Sequence, residues 1–382
     1  MFGVKISMNN NRFGLAKTRQ RGFSLIELIL ALGLGLIVTA GVVQLFVGNN
    51  QTYSVLTGQS RLQESARYAM DFITRSARST GYYGCDPDND KIYNTLNGPW
   101  TNLFEMDLTN PIQAFNYTGG GGTDLDDWTP GLNVLPRMTG ATSSINTVQD
   151  GTGIDISELV PSTDILVFRR VEIPGAPISA ITQSGDDPIT VINEGDIDFE
   201  ADDFAVISNC EQAALFRITA VADGAPASSG EATLVLNRAS GVGIYENAAG
   251  VSLSDQGIPY GNAIDSQAAA VGRVITDIYY VANGTGENNF GQAPRSLWRR
   301  SGTNAPQELI EGVWDLQVSF GIDTTPNDNN RSANRYVDFD SVTANDVVRA
   351  LRLEVTTSTI DVVVGAEPTR RTFVQTISLR NT

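Results

Sequence analysis

Residues 28 to 47 form an almost uninterrupted apolar run, and the residue immediately before it is a glutamate, Glu27. A helix of that length, rising about 1.5 Å per residue, spans roughly 30 Å, the thickness of a bilayer hydrocarbon core. The run therefore reads as one membrane crossing. A carboxylate in hydrocarbon costs about 2.5–3.5 kcal/mol on insertion scales, so a chain that keeps Glu27 at the mouth of its anchor has a use for it. The use that fits is neutralisation by a later partner. Lys5, Arg12, Lys17, Arg19 and Arg21 precede the run with no acidic residue among positions 1 to 26. That bias predicts a cytoplasmic N-terminus, with the remainder of the chain on the far side of the membrane.

Gly22-Phe23-Ser24-Leu25-Ile26-Glu27 resembles the processing motif of type IV prepilins, in which a dedicated peptidase cuts after the glycine. The resemblance implies that Gly22 ends a leader spanning 1–22, that Phe23 becomes the new, N-methylated terminus, and that Glu27 is the fifth mature residue. A cut there creates an α-ammonium four residues from Glu27. In pilins of this kind the glutamate pairs with the terminal amine of a neighbouring subunit as the helix leaves the bilayer, where low dielectric strengthens the attraction. Two plainer readings of the same residues stand beside this one. Val38-Thr39-Ala40 before Gly41 offers the small-residue cleavage site of an ordinary secretory signal, and an uncut anchor with an interfacial glutamate fits the same composition. The three readings predict mature termini at Phe23, Gly41 and Met1 respectively.

Composition narrows the function classes. The net charge is -17, and the leader holds five basic and no acidic residues, so its removal leaves -22, with Lys91 the sole remaining lysine. A surface this acidic repels phosphates, and no direct nucleic-acid binding by the body is expected. Histidine is absent, which excludes His-dependent catalytic triads and His-ligated zinc. The run Gly119-Gly120-Gly121-Gly122 lacks the strand and helix context of a phosphate-binding loop and reads as a surface loop. Neither an enzymatic activity nor a cofactor is expected. Cys85 and Cys210 are the only cysteines, and in an exported chain the expected state is one disulfide between them.

The helix is expected to continue past the membrane run, over 23–80. Leu62, Ala66, Ala69, Ile73 and Ala77 follow offsets of four, three, four and four, one apolar stripe on a helix. Arg67, Asp71 and Arg75 lie four apart on another face, where they can pair, and Gly81 supplies a stop. Residues 81–153 read as a loop-rich acidic insertion, with Asp86, Asp88 and Asp90 around Pro87 and a Thr129-Pro130-Gly131 turn. The three aspartates resemble the opening of a calcium loop, but Lys91 stands where glycine is wanted and Asn97 where the closing glutamate belongs. Solvated turns are the expectation there.

From 154 to 382 the pattern is β-rich. Asp164–Ile173, Asp203–Cys210, Leu215–Val221 and Ala232–Leu236 are β-branched runs between turn residues. In the tail, Leu316, Val318, Phe320 and Ile322 alternate with smaller or polar residues, as do Leu351, Leu353 and Val355, and Phe373, Ile377 and Leu379 continue the theme. This alternation predicts a sheet buried on one face, with the long helix as its cover.

Ile278-Tyr279-Tyr280-Val281, Ser296-Leu297-Trp298-Arg299, Glu308-Leu309-Ile310-Glu311-Gly312-Val313 and Ser378-Leu379-Arg380-Asn381, with Gly81-Tyr82-Tyr83-Gly84-Cys85 after the helix, resemble PilW-type minor pilins. The segment from Asp86 to Ile154 has no counterpart in that pattern, and Asn209 stands before Cys210 in place of an aspartate. The resemblance implies an α+β, type IV pilin-like fold: a long N-terminal helix, half membrane anchor and half amphipathic, packed on a C-terminal antiparallel β-rich domain. No proline interrupts the helix near Gln44, whereas major pilins commonly carry one, which points to a minor subunit. The implied role is structural: priming of pilus assembly at or near the fibre tip, in pili serving twitching motility or cell adhesion. The implied partners are the prepilin peptidase, other minor pilins, pilin subunits and a tip adhesin. The implied location is the inner membrane before assembly, with the body in the periplasm, and the pilus or cell surface afterwards. The competing readings are a J-type minor pseudopilin of a type II secretion system and an adhesive or cation-binding module carried by the acidic loops.

Overall fold

A computed structural model describes residues 22–84, 92–99, 103–120, 127–129, 158–172, 174–181, 188–192, 197–209, 213–227, 230–251, 253, 269–302, 304–325, 332–343, 346–362 and 368–379. The chain is one long N-terminal helix followed by a β-rich body, and it divides after Val55 into two units.

The first unit is the apolar part of α1, a helix that runs from Leu25 to Ser79. Ser24 heads it: its carbonyl accepts the first helical bond from Leu28 N at 3.1 Å. No proline interrupts the sequence from 25 to 79, so the backbone ladder runs unbroken. Thr39 and Thr52 return their hydroxyls to the carbonyls of Gly35 and Gly48 at 2.7 and 2.9 Å, which leaves neither hydroxyl in need of an outside partner. Residues 22–54 are exposed throughout, and the helix is long and apolar enough to cross a membrane.

The second unit begins with the rest of α1. Leu62, Ala66, Ala69, Ile73 and Ala77 are all buried, as their spacing predicts, and Met70 joins them. Asp71 and Arg75 pair on the outer face at 2.7 Å. The helix stops where glycine supplies a left-handed residue: Gly81 has φ +70 and donates its N–H to Arg169 O at 2.9 Å.

The strands are β1 (Ile92–Asn94), β2 (Ile112–Tyr117), β3 (Trp128–Thr129), β4 (Ile165–Val171), β5 (Ala176–Ile181), β6 (Ile189–Ile192), β7 (Phe204–Ser208), β8 (Ala213–Arg217), β9 (Ala220–Asp223), β10 (Thr233–Asn237), β11 (Ala270–Asn283), β12 (Arg295–Ser301), β13 (Gln307–Glu311), β14 (Val313–Asp323), β15 (Arg335–Val337), β16 (Val347–Ser358) and β17 (Arg370–Ser378). Three of them, with a 3-10 turn at Phe104–Met106, come from the stretch read as loop-rich.

These strands build three bodies of sheet. The first, in the order β3-β2-β4-β11-β12-β13, is antiparallel throughout. The second is the tail, β15-β14-β16-β17, also antiparallel. The expectation of one sheet with a helical cover becomes two: Ala69, Met70, Ile73 and Ala77 of α1 pack in one core with Leu166, Phe168 and Val281 of the first sheet and Leu316, Phe320, Leu351 and Leu353 of the second. Each such fully buried aliphatic side chain contributes about 1.5–3 kcal/mol.

The third body is a small barrel. From Ala270 to Arg273, β11 pairs β7, and at Ala270–Val271 it also pairs β5. β5 pairs β6, β6 pairs β10 and β10 pairs β9, while β7 pairs β8. Between β8 and β9, Ile218 bonds to Asp203 O and Thr219 to Asn237 O, so one bent strand joins both ends of the series and closes it. Leu215–Val221 is thus not one straight strand; it turns at Ile218–Thr219 because its two halves have different partners. Ile178, Val191, Ile207, Phe216 and Leu236 fill the interior. β1 adds to β8 in parallel, the one parallel strand pair among the described residues, so the sheets are mixed.

Candidate functional site

Two regions carry the features on which a function for this chain depends: the start of α1 and the seam where its later turns meet the sheets.

Gly22 and Phe23 lie just ahead of the helix, fully open, with Phe23 85% exposed. Glu27 sits in the first turn, and its Oε2 accepts the backbone N–H of Ser24 at 3.4 Å. Ser24 and Glu27 have the spacing of a capping box, in which the carboxylate reaches back over the helix N-terminus. The carboxylate is therefore aimed toward the end of the chain that a cut after Gly22 would create, next to the nitrogen of Phe23. That end of a helix already favours negative charge through its unpaired N–H groups.

At the seam, a polar residue interrupts the buried stripe. Ser76 is 5% exposed, and its Oγ lies 2.9 Å from Tyr279 Oη and donates to Asp277 Oδ2 at 3.0 Å. Arg170 of β4 reaches the same carboxylate oxygen at 3.3 Å. Burial, reinforced by the Asp277 charge, pushes the Tyr279 hydroxyl up to about 12, so it stays a neutral donor. Nearer the body's start, Thr357 Oγ1 of β16 donates to Leu62 O at 3.2 Å. The helix is thus fixed by polar pins as well as by apolar packing.

The two sheets are tied to each other by Asp164, which precedes β4. Its Oδ1 accepts Tyr117 N at 3.0 Å and its Oδ2 accepts Val318 N at 2.9 Å and Asn116 Nδ2 at 3.3 Å, while its own N–H donates to Leu316 O. Burial raises its carboxyl to about 6 against the lowering effect of those two backbone bonds. Glu105, in the 3-10 turn, meets Arg300 of β12 at 2.5 Å with both side chains out of solvent. Arg169 is fully buried and donates to Phe104 O, Asn110 O and Gln113 Oε1. None of these polar ties is written in a periodicity. The one hint for Ser76 was its place on the apolar face, beside Ile73 and Ala77.

Cys85 and Cys210 lie outside the described residues, as do Asp86, Asp88 and Asp90. Among the described residues no cluster of His, Cys, Asp or Glu is arranged to hold a metal ion.

Two protein-family models match the chain. The type IV pilus-assembly protein W model covers residues 278–370, and the prokaryotic N-terminal methylation motif covers 17–43. The first match runs from the middle of β11 to the start of β17 and contains three of the tail motifs, Ile278–Val281, Ser296–Arg299 and Glu308–Val313. The second contains the Gly22–Glu27 hexapeptide and most of the apolar run. Families of this kind are structural rather than enzymatic. No curated protein and no solved structure matches the chain.

Proposed function

We propose that this chain, a PilW-like type IV pilin by its two family matches, is a minor pilin that helps prime pilus assembly and sits with other minor pilins at or near the fibre tip. The observation that carries the reading is the coincidence of the methylation motif with Glu27, whose carboxylate reaches back over the first turn toward the Phe23 end.

In this reading the prepilin peptidase cuts after Gly22, and Phe23 is methylated and keeps a positive charge. The apolar part of α1 holds the subunit in the inner membrane, with the body beyond it. Glu27 then meets the ammonium of a neighbouring pilin. In a water-poor helical bundle an unpaired carboxylate or ammonium is costly and a matched pair relieves both, so the pairing selects partner and register together. The pinned seam around Ser76 and Thr357 makes the later turns of α1 and the β body move as one piece, so a pull on the helix carries the body with it. A pilin-like fold, with its helix laid on a β domain, follows from the same features.

The test is Glu27→Ala in the native host. Processing should proceed, because the cut lies five residues upstream, and surface pili should fall several-fold. Normal pilus numbers in that strain would remove the assigned role of Glu27.

A further inference from the structure

We propose that the open edge of β17 is a contact between two copies of this chain, which join their tail sheets by antiparallel pairing of this strand about a two-fold axis at Val374. The contact belongs to the body alone and holds whether or not the chain is a pilus subunit.

β17 ends the tail sheet and, among the described residues, pairs only with β16. Its ladder is regular over all nine residues, from Ala350 opposite Ser378 to Ser358 opposite Arg370, with no bulge. The bonds just beyond each end set its phase: Thr359 N donates to Thr369 O and Leu379 N to Arg349 O, both at 2.9 Å. Odd-numbered residues of β17 therefore exchange their N–H and C=O groups with β16, and Arg370, Thr372, Val374, Thr376 and Ser378 direct theirs away from it. Those five are all exposed, Val374 at 53%, whereas Phe373, Gln375 and Ile377 between them are partly or fully buried.

An edge of this kind is a template for another strand unless it is guarded by brevity, lysine, proline or a bulge. The end strands β1, β3, β13 and β15 are guarded by brevity, with two to five residues each. β13 also carries Glu308 and Glu311 and meets β12 with a register shift. β17 has none of these guards: nine residues, no lysine, no proline and no carboxylate, with β-branched side chains at three of its five open positions.

The strand's own sequence supplies the occupant. Turned antiparallel about Val374, a second β17 sets Thr376 opposite Thr372, Ser378 opposite Arg370 and Val374 opposite itself. Every open residue of one copy then meets an open residue of the other, and no other register pairs all five. The central pairs, Val with Val and Thr with Thr, are of the kind that stabilises sheets. They extend a row already present, since the Thr372 hydroxyl shares a hydrogen bond with that of Thr356 on β16 at 2.8 Å. The charges also fit. Arg370 and Arg371 stand together at the start of the strand, so the antiparallel turn sends the arginines of the two copies to opposite ends, with Arg371 opposite Ile377. Parallel pairing would set like charges side by side. The arrangement is isologous and closes at two copies, and at one strand wide it belongs to the small, weak class of interfaces.

The test uses the full mature chain in detergent, read by sedimentation and by cross-linking with a short bismaleimide against the background of the unsubstituted chain. Val374→Cys should give a covalent dimer. Thr372→Cys and Thr376→Cys should link when mixed, and neither should link to itself. Val242→Cys, at a fully exposed position elsewhere on the body, should give no dimer. Val374→Pro removes an N–H that β16 does not use, a change edge strands tolerate, and should reduce the dimer about tenfold at equal concentration. Should that variant fail to fold, Val374→Lys carries the comparison, because it leaves the backbone intact and sets two cations face to face at the axis. Both copies are acidic overall, so raising salt from about 0.05 to 0.5 M should increase the dimer. A monomer under all these conditions overturns the proposal. So does a dimer that Val374→Pro and Val374→Lys leave unchanged, which would place the contact elsewhere, the apolar helix included. A dimer that salt dissolves overturns it as well, since that would mark an arginine-to-carboxylate contact instead.

Discussion

Ser76, on the last full turn of α1, and Tyr279, in the middle of β11, face each other oxygen to oxygen at 2.9 Å in a buried setting. Ser76 puts a hydroxyl on an apolar helix stripe, and Tyr279 puts a phenol inside a sheet core. The pair, with Asp277 behind it, fixes where the helix lies along the sheet. Tyr279→Phe removes the hydroxyl's bonds to Ser76 Oγ and to Phe72 O and leaves Ser76 its bond to Asp277, so the cost should be about 1–2 kcal/mol. Ile73→Ala, three residues earlier on the same stripe, opens a cavity and should cost about 2–5 kcal/mol. Denaturant unfolding of the two variants checks the order: a phenylalanine variant as damaged as the alanine variant would mean that the polar pin, not packing, dominates the seam.

Asp164 gives the body a pH dependence whose sign is fixed by its environment. Its folded-state carboxyl stands at about 6, above the 3.8 of an unperturbed aspartate. The folded protein therefore holds a proton that the unfolded chain would release. The stability this provides is complete below about pH 4 and is lost as pH rises through about 6, a change on the order of 3 kcal/mol. Asp164→Asn should flatten that part of the stability profile between pH 4 and 7. It should also lower stability overall, since one amide face cannot accept both the Tyr117 and Val318 N–H groups. A variant profile parallel to that of the wild type would assign the slope to another group.

Glu105 and Arg300 form a buried ion pair linking the 3-10 turn to β12. Glu105→Ala takes an anion away from a buried guanidinium and should cost about 3–5 kcal/mol, whereas replacing both by apolar residues of similar volume should recover much of that loss. Thermal unfolding of the single and double variants separates a structural charge pair from a simple packing position.

Gly84 and Ser208 are in close approach. A Cβ on Gly84 would overlap Ser208 Oγ and lie 2.6 Å from Ser208 Cβ, and the glycine takes a φ of +128. Cys85 follows the first by one residue and Cys210 the second by two in the sequence, and for two cysteines in an exported chain the expectation is one disulfide. Alkylation of the unreduced mature protein should label no cysteine, and reduction should free two. Such a crosslink closes a long loop and in the chain-entropy model stabilises by about 4–5 kcal/mol, so Cys85→Ser should lower the unfolding midpoint markedly. Two alkylated thiols without reductant would refute the pairing.

The long helix and the tail sheet were legible because each obeys a single period. Leu62 to Ala77 keep one helical face, and Leu316 to Ile322 and Leu351 to Val355 alternate as half-buried strands do. The barrel was not legible. Its closure depends on one strand bending at Ile218 so that its halves find β7 and β10, and a β-branched run looks the same whether straight or bent. The strand pairing of Ile92–Asn94 and Ile112–Tyr117 was hidden for a related reason: short runs among Asp, Gly and Pro carry too few residues to show a period, and only their tertiary partners make them strands. At the N-terminus the motif was plain in the residues. The backward reach of Glu27 to Ser24 N is a matter of geometry, and the helix had to be seen for it.

The account stands on the cut after Gly22, which makes Phe23 the N-terminus and Glu27 the fifth residue of the mature chain. N-terminal sequencing of the protein purified from its native host, with mass analysis of the terminal residue, tests this most directly. The predicted result is a chain beginning at N-methylated Phe23. A chain beginning at Met1 or Gly41 would contradict it.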